Sequence, residues 1–146
     1  FYCQSGLNCL CTEDLKSAAA NSDIITCVTT SVEPLILRDW ISEGTHIDLV
    51  GAFTPTMRES DSELIARGRV FVDTNEGALS EAGDLLIPMK EGVFKKESVI
   101  ANLYELAQGK KKGRVLSDEI TVFKSVGASI EDYAAAKFFY ETIKES

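Results

Sequence analysis

The sequence predicts an α/β fold built on a mostly parallel sheet with helices on both faces. Two observations carry that prediction. Short β-branched runs alternate with helix-like segments along the 146 residues, and strand–helix alternation is the pattern of parallel strands joined by crossover helices. The strands also read as apolar runs, above all "DIITCV" (23–28) and "HIDLV" (46–50), as strands do when both sheet faces are covered. A hydrophobic content of 45% is enough to build one full core.

In chain order, "LNCLC" (7–11) reads as a short strand. Thr12, followed by Glu13 and Asp14, starts a helix to about residue 21, with acids at the positive end of its dipole. "DIITCV" is the second strand and ends in the hydroxyl-rich "TTSVEP". Residues 35–41 are too short and mixed for a helix, and Glu43-Gly44 turns the chain into "HIDLV". Ser60 and Glu63 have capping-box spacing, Leu64 and Ile65 supply an apolar face and Gly68 suits the C′ position, which predicts a helix over 61–67.

"RVFVD" (69–73) is a strand, and Thr74 is the N-cap of a helix over 74–86. Residues 98–109 carry Ile100, Leu103 and Leu106 near helical spacing and close on Gly109. The lysines at 110–112 then form a solvated helix end. "EITVFKSVG" (119–127) is a strand running into a glycine turn. Ser129 and Asp132 form a capping box before a last helix whose stripe of Ile130, Ala134 and Phe138 calls for a packing partner.

The formal charge is −8. No basic surplus is available to displace counterions from a phosphate backbone, so nucleic acid is not an expected partner. Cys3, Cys9, Cys11 and Cys27 show no C-x-x-C spacing and are expected to be reduced and mostly buried. His46 has no cysteine or acid at ligand spacing, so no metal is expected. No secretory signal, membrane-length apolar run or lipidation motif is present, and a soluble cytoplasmic protein is expected. The chain opens at Phe1 without a methionine, which suggests a piece of a longer protein. The G-x-G-x-x-G fingerprint of dinucleotide folds, and an acid about twenty residues beyond it, are also absent.

Four ordered blocks, "SDIITCVTTSVEPL", "GTHIDLVGAFTPTMRESD", "RVFVDTNEGALSEAGDL" and "DEITVFKSVGASIEDYAAAKFFYE", resemble the ornithine cyclodeaminase and mu-crystallin family of NAD(P)-dependent enzymes over nearly the whole chain. The resemblance implies a partial Rossmann-like domain lacking its first βαβ unit with the Gly-rich loop. Residues 1–127 would be the carboxy-terminal part of the cofactor domain. The helix over 128–146 would pack on an amino-terminal domain that supplies the substrate pocket and a homodimer interface.

In cyclodeaminase members the loop after "VG" carries a catalytic aspartate two residues past the glycine. "VGAFTP" puts Phe53 there, and a phenyl ring can neither take a proton nor orient water. The resemblance therefore implies reduction of a cyclic ketimine by NADPH or NADH, giving proline or pipecolate from Δ1-pyrroline-2-carboxylate or Δ1-piperideine-2-carboxylate. Phe53 would be an apolar wall and Thr54 the polar partner of the imine or its carboxylate. Ornithine cyclodeamination and a non-catalytic cofactor binder remain as alternatives. Thr29, Thr30, Ser31, Val50, Gly51, Lys124, Ser125, Val126 and Gly127 are the implied cofactor contacts. Alternatively, Thr54 merely braces the turn before Pro55, and the hydroxyl loops are ordinary caps. Arg58 and Glu59 read as a structural brace. Without the phosphate-cradling backbone, the 146 residues alone are expected to be inactive and to bind dinucleotide weakly or not at all.

Overall fold

A computed structural model of the protein describes residues 9–144. Five strands, β1 (Ile24–Cys27), β2 (His46–Leu49), β3 (Arg69–Val72), β4 (Ala101–Asn102) and β5 (Thr121–Lys124), form one sheet in the order β1-β2-β5-β3-β4. Every pairing is parallel. The helices are α1 (Leu15–Ala20), α2 (Ser62–Arg67), α3 (Asn75–Glu81), α4 (Gly83–Lys90), α5 (Leu103–Ala107) and α6 (Ser129–Lys144), with 3₁₀ turns at Arg38–Trp40 and Lys96–Ser98.

The core lies on one face of the sheet. Cys27, Ile47, Leu49, Val70, Val72 and Val122 alternate onto that face and pack with Ala19 of α1, Leu64 and Ile65 of α2, Ala78 of α3 and Leu85 of α4. Each fully buried Leu, Ile or Val there contributes about 1.5–3 kcal/mol relative to exposure. The opposite face is covered by α5 toward β3 and β4. There Leu103 and Leu106 line a cleft of about 490 Å³ with His46, Phe71, Thr121 and Phe123. "DIITCV" was expected to be enclosed on both faces, but among the described residues β1 is the outermost strand and only its Cys27 face is packed: Cys27 is buried while Ile24 and Val28 are 67% and 68% exposed.

Several expected boundaries move for local reasons. Residues 9–11 are not a strand, and 7 and 8 lie outside the described residues. Asp14, not Thr12, caps α1 by accepting from the Ser17 amide at 2.9 Å, while the Thr12 hydroxyl accepts from the Asp14 amide. Asp61, not Ser60, caps α2 by accepting from the Leu64 amide at 2.9 Å. Gly68 closes α2 with φ −75° and is required by close approach, since a Cβ there would meet the Leu64 carbonyl at 2.8 Å.

Thr74 caps α3 as expected, but the helix over 74–86 divides into two at Ala82. The segment expected as a helix over 98–109 opens at the end of the 3₁₀ turn and passes through β4 before turning helical, because Ala101 and Asn102 pair with Phe71 and Val72. Asn102 then caps α5 through a capping box with Glu105. In α6, Ser129 lies inside the first turn, and Glu131 accepts from the Ala128 amide at 3.4 Å. Of its stripe, Ile130 and Phe138 are 52% and 69% exposed.

Candidate active site

Strands β1, β2 and β5 lie side by side, with Cys27, Leu49 and Lys124 in register. The Val50 amide donates to the Cys27 carbonyl at 2.9 Å and the Ser125 amide to the Leu49 carbonyl at 3.0 Å. The loops beginning at Val28, Val50 and Ser125 therefore leave the sheet together at its carboxyl edge, where open α/β sheets carry their ligands. The first residues of these loops, "VTTS", "VGAFT" and "SVGA", contain no charged side chain.

On the β1 loop, the Thr29 hydroxyl accepts from the Ser31 amide at 3.2 Å, and the Ser31 hydroxyl donates to the Glu33 carbonyl at 2.7 Å. Those two hydroxyls brace the turn. Thr30 is exposed and its hydroxyl forms no hydrogen bond among the described residues. On the β2 loop, Phe53 is 47% exposed. The Thr54 carbonyl closes the turn by accepting from the Met57 and Gly83 amides, both at 3.1 Å. The Thr54 hydroxyl is left without a hydrogen bond among the described residues, so the backbone, not the side chain, braces this turn.

After β5, the Ser125 hydroxyl donates to Asp73 Oδ2 at 3.1 Å, and the same oxygen accepts from the Val126 and Gly127 amides at 2.8 and 2.9 Å. Gly127 has φ +86°, which favours glycine, and nothing lies within 4 Å of where a Cβ would stand. Lys124 sits differently from its loop neighbours. Its side chain is fully buried with Nζ 3.5 Å from Asp84 Oδ2, so the ammonium is closed to a ligand at the sheet edge, and its carbonyl accepts from the Asp73 amide at 3.2 Å.

Beneath the loops lies a buried polar layer. Glu59, fully enclosed, accepts from the Thr29 amide at 2.5 Å through Oε1 and from the Gly51 amide at 2.8 Å through Oε2. Arg58 points elsewhere, donating to the Ser60 carbonyl and the Ser62 hydroxyl at 3.0 Å each. Asp84 Oδ1 accepts from the Glu59 amide, the Ser60 amide and the Ser60 hydroxyl at 2.8, 3.0 and 3.1 Å, which explains why Ser60 is not free to cap α2. Burial raises the Asp84 carboxyl above its usual range, and the bonds from Ser60 and the charge of Lys124 oppose the rise. Burial lowers the Lys124 ammonium, against the pull of Asp84 and Glu59.

Sequence reasoning missed Asp84 altogether, since it sits inside a stretch read as plain helix. Asp73 had a signal, an acid ending an apolar strand. Burial first, with Glu59 and Asp84 adding to it, pushes the Cys27 thiol up to about 12, which makes it a neutral packing group. Cys9 and Cys11 are free and exposed, against the expectation of burial, and Cys3 lies outside the described residues. His46 is satisfied by Thr121 Oγ1 at 2.8 Å from Nδ1. Among the described residues, no group of three or more His, Cys, Asp or Glu could hold a metal ion, and no helix is long and apolar enough to cross a membrane.

An all-parallel sheet with neutral hydroxyl and glycine loops gathered at its carboxyl edge has the arrangement of a Rossmann-like domain. The chain belongs to the ornithine cyclodeaminase/mu-crystallin family, whose profile matches residues 2–146. It is 41% identical over 125 residues to a Delta(1)-pyrroline-2-carboxylate reductase of Paracoccus denitrificans, covering 86% of this chain and 40% of that protein. Among solved structures it superposes with TM-score 0.84 and 47% identity on Thermococcus litoralis Delta(1)-pyrroline-2-carboxylate reductase in complex with NADH and L-proline, over 89% of this chain and 40% of that one. An archaeal alanine dehydrogenase dimer with bound NAD gives TM-score 0.85 at 34% identity, over 96% and 43%. The chain thus spans about two fifths of the length of these relatives.

Proposed function

We propose that this chain is part of an NADH- or NADPH-dependent reductase of cyclic ketimines, acting on Δ1-pyrroline-2-carboxylate or Δ1-piperideine-2-carboxylate. The observation that carries the proposal is the β2 loop. Its exposed end presents the Phe53 ring and the unpartnered Thr54 hydroxyl, and no carboxylate occurs between residues 50 and 57. Deamination needs a base to take protons and direct water. Reduction of an already protonated imine needs mainly position and a dry wall.

The residues present fit the nicotinamide end of a cofactor. The loops offer hydroxyls, backbone groups and apolar surface without charge, and the open Cα side of Gly127 admits a flat group against the backbone. Thr29, Thr30, Ser31, Val50, Gly51 and the Ser125–Gly127 turn would hold it. When bound, a reduced nicotinamide supplies the hydride that saturates the C=N carbon. Phe53 excludes water from the imine face. The Thr54 hydroxyl donates to the substrate carboxylate or accepts from the iminium N–H.

The same proposal assigns residues 1–127 to the cofactor domain and 128–146 to a helix packing on the rest of the protein, in a cytoplasmic homodimer. The exposed Ile130, Tyr133, Phe138 and Tyr140 of α6 support that packing. The test follows cofactor oxidation by the full-length polypeptide with each cyclic imine, beside ammonia release from ornithine. Imine-dependent oxidation without ornithine turnover is expected. Ammonia release with no imine reduction would replace the proposal with cyclodeamination.

A further inference from the structure

We propose that Glu59 is a positioning residue for the reaction proposed above, on which this inference rests. Its buried carboxylate grips the Thr29 and Gly51 amides at once and so sets the separation of the two loops that carry Thr29–Ser31 and Phe53–Thr54. A carboxylate with no exposed surface ordinarily faces a cation. Glu59 instead spends both oxygens on backbone N–H groups from two different loops, 30 and 8 residues away in sequence. Charge-assisted bonds from backbone N–H groups offset the burial of the carboxylate, and because the two amides belong to different loop roots, one side chain fixes both.

The clasp is held from behind. The Glu59 carbonyl accepts from the Leu35 and Ile36 amides at 2.8 and 3.0 Å, and the Arg58 amide donates to the Ser31 carbonyl at 2.9 Å. The Glu59 amide donates to Asp84 Oδ1, and Asp84 stands against Lys124 at the end of β5. The position of the carboxylate is therefore tied to three of the strands whose loops form the site. The fit is also tight in front. A Cβ on Gly51 would fall 2.0 Å from the Thr29 carbonyl oxygen and 2.3 Å from Glu59 Oε1, so the β1 and β2 loops touch across the carboxylate with no slack. Phe53 and Thr54 follow Gly51 by two and three residues, and a shift at Gly51 reaches them directly. Misplacement of about 1 Å is enough to cost large factors in a reaction that depends on near-attack geometry.

Glu59→Gln separates this role from packing. The glutamine side chain keeps the volume but turns one acceptor oxygen into an N–H donor facing a backbone N–H, so it can hold one loop and not both. In the full-length protein, E59Q is expected to speed hydrogen exchange at the Thr29 or Gly51 amide. It is also expected to raise KM for the reduced cofactor, or lower kcat with Δ1-pyrroline-2-carboxylate, about tenfold or more, the scale of one hydrogen bond to a charged group. Ile65→Val, which removes one methylene from the core away from the loops, serves as the destabilised control and should leave both kinetic constants near wild type. Unchanged exchange at both amides overturns the proposal. So does an E59Q enzyme that melts lower while its folded fraction turns over like wild type, since that is a plain brace.

If E59Q does not fold, Glu59→Asp retains the charge and withdraws it by one methylene, and the same shifts are expected with smaller amplitude; wild-type constants in E59D would refute the clasp. A wild-type protein with no imine reduction would defeat the proposed function. The exchange at Thr29 and Gly51 would then still decide whether the carboxylate sets these loops.

Discussion

Replacing Lys124 with methionine removes the ammonium that faces Asp84 at 3.5 Å, where both side chains are fully enclosed. At an effective dielectric of about 20, two unit charges at that distance attract by about 5 kcal/mol. Breaking a buried pair by deleting one partner typically costs about 3–5 kcal/mol, because the remaining charge stays buried alone. Lys124→Met is therefore expected to destabilise the full-length protein by about 3–5 kcal/mol. With a urea slope of about 2 kcal/mol/M, its unfolding midpoint should fall by about 2 M. The double variant K124M/D84N should recover much of that loss, because asparagine keeps an Oδ1 acceptor for the Glu59 and Ser60 groups and carries no charge. A single variant within about 0.5 kcal/mol of wild type would refute the reasoning, as would a double variant no better than the single.

The pair also gives a signed dependence on pH. Asp84 is raised, so just above the ordinary carboxylate pKa the folded state holds more protons than the unfolded chain and stability falls as pH rises. Lys124 is lowered, so just below the ordinary lysine pKa the folded state holds fewer protons and stability rises with pH. D84N should remove the Asp84 share of the fall in stability with rising pH, measured by thermal unfolding across the acidic range.

Three further outcomes are expected. Thr54→Val keeps the shape and the turn carbonyl, so it should cut kcat/KM for the imine about tenfold, the worth of about one substrate hydrogen bond, with no change in melting temperature beyond about 2 °C; steady-state kinetics and calorimetry check both halves. Because its thiol is raised to about 12, Cys27 should resist iodoacetamide at pH 8 in the native protein while exposed Cys9 and Cys11 react, as peptide mass mapping will show. The 146-residue polypeptide alone should give no micromolar NADPH isotherm by titration calorimetry, because no glycine-rich phosphate loop occurs in it.

The four longer strands were legible because each is an apolar run ended by a loop signal, and the parallel order followed from their alternation with helices. β4 was not, because two residues with one neighbouring strand leave no periodicity in a segment that also spaces Leu103 and Leu106 helically. The division between α3 and α4 was hidden for a similar reason. The break falls at Ala82, whose backbone is extended, beside Gly83, where a Cβ would meet the Met57 carbonyl oxygen at 1.9 Å, a contact made across the fold. The three loops of the candidate site were found as loops, since hydroxyls and glycine after strands announce themselves. What held them was not found. Ser60 matched a capping box, but Asp61 is the N-cap and Asp84 engages Ser60, and Arg58 and Glu59, read together as a brace, hold different partners. Buried polar partners chosen through tertiary contact leave no spacing to read.

The seat of Gly83 against the Thr54 and Met57 carbonyls has a consequence for how the proposed reductase could change its substrates. With α4 beginning directly against the 54–57 turn, an inserted residue would drive the loop into the helix, and a deleted one would break the Gly83–Thr54 bond. Loop length is thus closed as a route to new specificity. The side chain at position 53 faces outward and is free to vary in bulk, so accommodating a larger or smaller ring in this scaffold becomes a matter of exchanging one residue on an unmoving frame.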